Sequence, residues 1–454
     1  MNHLLKNFLF ALVAVATLSI VACTDDTELP VEISDDEKIA EVTGIIPSDT
    51  DAFELTVGTK NGQDVIVLSG EINRDIIIEP LTAYEWLFSG AVFVAQCAEL
   101  TIEEGTTIYF DVESAQTSFL SVAQCAKVNA NGAANNRILM TSSNDGLGSG
   151  TGAASGDWGG FVVNGYGNIN VGETADGEGG TGTYGGSDDT DNSGSIRYVV
   201  LKYPGKIVGV DNELNGFSFN GVGSGTTIEY IQTYQGADDG IEFFGGAANV
   251  KYAVVIGAKD DSFDWTHGWR GKGQYWLAIQ TANRGDRCIE ADNLEADFAA
   301  APYSAPTLAN LTLIASEGND GDNSYGMRLR HGTKGKIHNA AVTGATAYGI
   351  RADDDATTGA NVADGSLVVT NSTVFGIDAN ATAWGKDAAG WDGQTGNVST
   401  IVSLTDGIGT ITGGADANAV YADAFFTADT NIGAVDAVNN WLSGWAIKTD
   451  GTDY

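Results

Sequence analysis

Positive charge is what this chain most lacks. Lysine and arginine together number 22 against 60 aspartates and glutamates, a formal net charge of −38. That deficit excludes a nucleic-acid partner, because no basic patch is available to replace phosphate counterions. It equally excludes attraction to an anionic membrane surface. Histidine is scarce, with 4 in all. His267, His331 and His338 show no helical metal-ligand spacing. No Ser-His-Asp set is legible, and the glycine-rich stretch Gly177 to Gly186 lacks the lysine and helix start of a phosphate loop. Proline is rare at 6, whereas glycine reaches 60. Abundant Gly, Asn and Asp between short β-rich runs predict a turn-dense β solenoid.

Long apolar runs are also missing after the N-terminus. Lys6 precedes the apolar stretch Phe8 to Ala22, which has the length of a signal-peptide core and is short for a membrane span. It ends in Ile20-Val21-Ala22-Cys23, which looks like a lipobox. The expectation is removal of residues 1–22 and a lipid anchor on Cys23, attaching the chain to the bilayer rather than threading it. Residues 23–62 read as an acidic, lipid-anchored tether. The acids directly after Cys23, Asp25 and Asp26, resemble the surface-export signal of Bacteroidota lipoproteins. That implies an outer-membrane, surface-exposed location, with a periplasm-facing anchor as the alternative.

Repeats organise the remainder. One strand type recurs around Phe217, Ile241, Phe263, Ile289, Met327 and Ile350, in steps of one coil except where a loop is inserted near 293–306. A second alternates with it, around Ile228, Val250, Leu308, Ile337 and Leu367. Two interleaved strand families with a common period predict a right-handed parallel β-helix over 91–376. Residues 63–90, with Tyr84, Trp86 and Phe88, are expected to close its N-terminal end. Gly/Ser/Asp-rich loops near 142–195 enclose the strand Phe161–Asn164. Residues 377–454, holding Trp384, Trp391, Trp441 and Trp445, are expected to form irregular last coils and a C-terminal cap. Cys97 and Cys125 lie in the same words, Val-Ala-Gln-Cys-Ala, one coil apart. Adjacent coils lie about 4.8 Å apart, so either a disulfide or two buried thiols fits. Cys288 reads as core.

The motifs Asp157-Trp158-Gly159-Gly160, Ala237-Asp238-Asp239-Gly240-Ile241-Glu242 and Asp260-Asp261-Ser262-Phe263-Asp264-Trp265 resemble a family of Bacteroidota β-helix surface lipoproteins. The resemblance covers roughly residues 90–450 and implies the fold of pectate lyases. It implies little about activity. Cys97 and Cys125 depart from it, standing where glycine is usual.

Alternation along the first strand type supplies the candidate site. If Ile241, Phe263, Ile289, Met327 and Ile350 point inward, Glu242, Asp264, Glu290, Arg328 and Arg351 point outward as one vertical ladder. The next outward position holds Asp292, Arg330 and Asp353. Stacked carboxylates raise one another's pKa or recruit a cation. Oxygen donors favour Ca²⁺, so Glu242, Asp264 and Glu290 are candidate metal ligands. The arginines suit an acidic sugar. A plain salt-bridge ladder fits the same residues, and so does a carboxylate pair that cleaves glycosidic bonds. Aromatics beside His267 could stack on sugar rings or simply pack. Two readings stand: a monomeric surface protein that binds glycan or another surface component, and a polysaccharide lyase or glycoside hydrolase. A deep groove above the acids favours the enzyme, and a filled face favours the binder.

Overall fold

A computed structural model describes residues 34–147, 152–210, 212–318, 323–385, 396–397 and 403–454. Cys23, the signal segment and Trp391 lie outside the described residues. Residues 35–454 form one unit. It is a single-stranded parallel β-helix: nearly all strand pairings between coils are parallel and in register.

Each coil in the middle of the chain has the same plan. A short strand such as Ile241–Phe244 pairs with Phe217–Asn220 before it and Phe263–Thr266 after it. A longer strand such as Asn249–Ile256 follows, and a single residue bends it. That residue has a positive φ in every coil: Tyr198, Tyr230, Tyr252, Tyr275, Asn310 and Asn339, all between 51° and 63°. Pairing skips the bend, as between Arg197↔Glu229 and Val199↔Ile231. The bend turns two interleaved strand families into three sides. Asparagine tolerates the left-handed region, but tyrosine does so at a cost. Stacking offsets it, with ring centroids of Tyr198, Tyr230, Tyr252 and Tyr275 separated by 4.2, 4.2 and 5.1 Å.

The core is the column of inward residues. Phe217, Ile241, Phe263, Ile289, Met327 and Ile350 are all fully buried. Each such side chain contributes about 1.5–3 kcal/mol through burial. Cys288 is buried beside them as a free thiol. The strand Phe161–Asn164 inserts between Phe119–Val122 and Phe217–Asn220, with loops leaving on both sides.

Both ends differ from the sequence expectation. Residues 35–60 are not tether: Asp35–Thr43 is a helix and Ala52–Lys60 a strand antiparallel to Gln63–Ile72. Ile39, Phe53 and Leu55 are buried, so the acidic composition describes only the outer face of this cap. Residues 63–90 already belong to the solenoid, since Gln63–Ile72 pairs in parallel with Glu85–Val94.

Trp441 and Trp445 likewise do not cap the last coil. Trp384 lies in a strand paired with Ile350. Residues 403–454 run back along the flank toward the first coils. Asn339 exchanges hydrogen bonds with Ala415, Gln274 with Thr427, and Gln232 with Ile447. These side-chain amides pair with the strap's backbone as another strand would. Trp441 and Trp445 cover the tyrosine column edge-on or tilted.

Cys97 and Cys125 are joined in a disulfide with their Cα atoms 4.7 Å apart. The bond closes a loop of 28 residues. Replacing both cysteines with serine should lower unfolding free energy by about 3.6 kcal/mol in the chain-entropy treatment. Denaturant titration of the oxidised protein and the double variant checks this, and equal midpoints would contradict it.

Candidate functional site

The register places the ladder as the alternation implies. Glu242 is opposite Asp264, Asp264 opposite Glu290, Glu290 opposite Arg328, and Arg328 opposite Arg351. Its surroundings were not legible. Glu242 and Glu290 keep only 8% and 6% of their surface, so these are not solvated charges.

A second row of acids lies in the turns three residues earlier, at Asp239 and Asp261, both buried. Each uses one oxygen to cap the next coil: Asp239 Oδ1 accepts from the Asp261 amide at 2.8 Å, and Asp261 Oδ1 from the Arg287 amide at 2.7 Å. The repeated Asp-x-x-Glu, Asp-x-x-Asp and Arg-x-x-Glu spacing at 239/242, 261/264 and 287/290 was the available signal. A loop supplies a third component. The short turn Glu178–Gly180 and the strand Thr183–Tyr184 bring Glu178 and Tyr184 to this face. Asn215 donates to Glu242 at 2.6 Å and to Glu178 at 3.4 Å. Tyr184 shares a 2.8 Å hydrogen bond with His267, which packs against Phe244. Loop residues therefore lie against the acids where an enzyme would need a groove. A cleft of about 390 Å³ lies elsewhere, lined by Asp35, Asp36, Ser48 and Phe53, and shares no residue with the ladder.

Charge divides the ladder into two halves. At the C-terminal half the carboxylates have partners. Glu290 pairs with Arg287 and Arg330, and Asp292 with Arg330 at 2.8 Å and His331 at 2.9 Å. Asp353 serves both Arg328, at 3.0 Å, and Arg351, at 3.1 Å. Burial works against ionisation of Asp292, yet His331 and Arg330 hold its carboxyl below the usual range. At the N-terminal half, Asp239, Glu242 and Asp264 form no ion pair among the described residues, although the charge of Arg330 reaches Asp264. Burial first, then repulsion from neighbouring acids, pushes all three well above the ordinary carboxylate range. The same causes raise Asp238 to about 8 and Glu178 to about 7. Burial brings Glu290 to about 7 despite its arginines. His267 is pushed down to about 4 by burial and is neutral.

One carboxylate oxygen each of Asp239, Glu242 and Asp264 lies within 4.8 Å of the others. Oδ1 of Asp264 is buried with no hydrogen-bond partner. Three hard oxygen donors and an orphaned acceptor fit a cation such as Ca²⁺. Asp239 thus joins the candidate ligands Glu242 and Asp264, while Glu290, which also pairs with Arg287 and Arg330, forms a neighbouring cluster with Asp261 and Asp264. Without a cation the acids hold protons.

That balance has a pH consequence. The unfolded chain releases these protons near pH 4, whereas Asp238, Glu178 and Glu290 in the folded chain keep theirs to about 7–8. Between those limits the folded state binds more protons, so its contribution to stability is full below pH 4 and is lost as pH rises through 7–8. In chelator, the melting temperature should be lower at pH 8.5 than at pH 5.5 by roughly 5 °C or more. Millimolar Ca²⁺ should restore it at pH 8.5, and Glu242→Gln with Asp264→Asn should abolish that gain. A calcium gain that survives in the double variant would remove the ladder as its source.

Residues 70–446 match the sequence model of a pectate-lyase-like β-helix domain. No curated protein matches the chain. Among solved structures it is similar to the catalytic domain of a GH87 α-1,3-glucanase variant in complex with tetrasaccharides, at 12% identity, TM-score 0.34, covering 85% of this chain and 70% of that one. It is also similar to the periplasmic alginate epimerase AlgG, at 9% identity, TM-score 0.30, covering 78% and 95%.

Proposed function

We propose, for a chain that belongs to the pectate-lyase-like β-helix domain family, that it is a glycan-binding lipoprotein of the bacterial cell envelope which grips acidic sugars on the arginine half of its ladder. One observation carries this reading: Arg328 and Arg351 share the single carboxylate of Asp353. Two guanidiniums on one carboxylate, with Glu290 the next rung beside Arg328, concentrate positive charge in a protein of net charge −38. Four of its arginines, at 287, 328, 330 and 351, gather here. Beside them Tyr325 and Tyr348 stack with centroids 5.4 Å apart, Arg328 lying over Tyr325 and Arg351 over Tyr348. The arginine side chains keep 23% and 25% of their surface, so a ligand carboxylate can reach them. A fork of guanidinium donors matches a carboxylate.

The buried acids then have a structural role, filled by protons or Ca²⁺. Cys23 carries the lipid anchor in this reading, holding the binder on an outer membrane of Bacteroidota type with the solenoid facing outward. Raised carboxyls also occur at active sites, and Glu178 and Glu290 near 7 favour a hydrolase or lyase as the second reading.

Isothermal titration of residues 24–454 with polygalacturonate oligomers and with neutral oligosaccharides separates the two. The expected result is binding of the acidic series alone, weakened about tenfold or more by Arg328→Ala or Arg351→Ala, the loss of a charge-assisted contact, without release of new reducing ends or unsaturated products. Preference for neutral glycans would overturn the binding site, and cleavage would establish the enzyme.

A further inference from the structure

His331 is the remaining group of this patch whose charge can change near neutral pH. It follows Arg330 directly and has φ +48°. Its conformation is built by contacts. Phe298, from the insertion near 293–306, stacks on the imidazole at 4.7 Å and 23°. The next residue, Gly332, also at positive φ, lies so close to the Phe298 carbonyl that a Cβ there would meet it at 1.9 Å. Insertion and strand end therefore fix the ring. Its Nδ1 faces Asp292 at 2.9 Å, and the side chain keeps 18% of its surface. Among the described residues Nε2 has no hydrogen-bond partner.

The charged groups around the ring are Asp292 and Arg330 on the solenoid and Glu295 on the insertion. Asp292 already accepts from Arg330, so it stays ionised, and its hydrogen bond raises the affinity of His331 for a proton. With Nδ1 donating to Asp292, a neutral ring turns the lone pair of Nε2 outward, which repels an anion. A protonated ring turns a charged donor outward instead.

We propose that His331 is a proton-dependent anion-binding residue of the arginine site, so that an acidic glycan is held more tightly below neutrality than above it. This rests on the binding role assigned to Arg328 and Arg351 and adds its control. Sugar carboxylates stay ionised from pH 6 to 8.5, so a pH step there belongs to the protein. Linkage to one proton limits the step to about tenfold per pH unit above the histidine's pKa.

The test measures the dissociation constant of a polygalacturonate oligomer at pH 6.0 and 8.5 for the wild type and His331→Asn. Asparagine accepts the left-handed backbone and can still donate to Asp292, but it cannot become charged. The expected wild type binds at least about tenfold more tightly at pH 6.0 than at pH 8.5, and the variant loses most of that step, binding with nearly the same affinity at both. A step of equal size in the variant overturns the proposal and assigns the proton to a carboxyl such as Glu290. Wild-type binding without a step overturns it and leaves the arginine site standing, whereas no binding at either pH overturns both. Should the variant misfold, NMR titration of wild-type His331 decides: its pKa must rise when the oligomer binds, and an unchanged pKa contradicts the proposal.

Discussion

A parallel solenoid stacks each residue about 4.8 Å from its equivalent in the next coil, and everything else in this protein answers to that spacing. Repetition is favourable for apolar and aromatic side chains. The inward column from Phe217 to Ile350 and the tyrosine column on the bend both gain from stacking like on like. For carboxylates the same spacing is costly, because like charges are brought together as water is removed. Glu242, Asp264 and Glu290 are consecutive in one column, with Asp239 and Asp261 beside them.

The chain meets this cost in three ways. Turn aspartates accept backbone amides from the following coil, so Asp239 and Asp261 act as coil-to-coil caps. Arginines enter the ladder itself at Arg328 and Arg351 and flank it at Arg287 and Arg330. Where no arginine forms an ion pair, at Asp239, Glu242 and Asp264, protons or a bound cation must supply the balance. The polarity of the ladder follows: a closed acidic half under the 178–184 loop, and a partly exposed half that carries the arginines.

Much of this was legible in the sequence because the fold is periodic. Spacing alone placed Glu242, Asp264, Glu290, Arg328 and Arg351 in one column, since register in a parallel stack follows from coil length. What is not periodic was not legible. Burial of Glu242 depends on Glu178 and Tyr184, which arrive from an inserted loop with no repeat. The course of residues 403–454 escaped for a related reason: Gln232, Gln274 and Asn339 look like ordinary polar strand positions until a returning strap is seen to pair with them. The cap at 35–60 was hidden by acidic composition, which outweighed the alternating Phe53 and Leu55.

The central claim is that protons on the buried acids and a cation are alternatives. Calorimetric titration of Ca²⁺ at pH 7 in two buffers of different ionisation enthalpy tests it most directly, because the difference in heat counts protons released per ion bound. The account predicts saturable binding with release of about one proton or more, lost in Asp239→Asn. Binding without proton release, or no binding while the acids titrate at ordinary values, would contradict it.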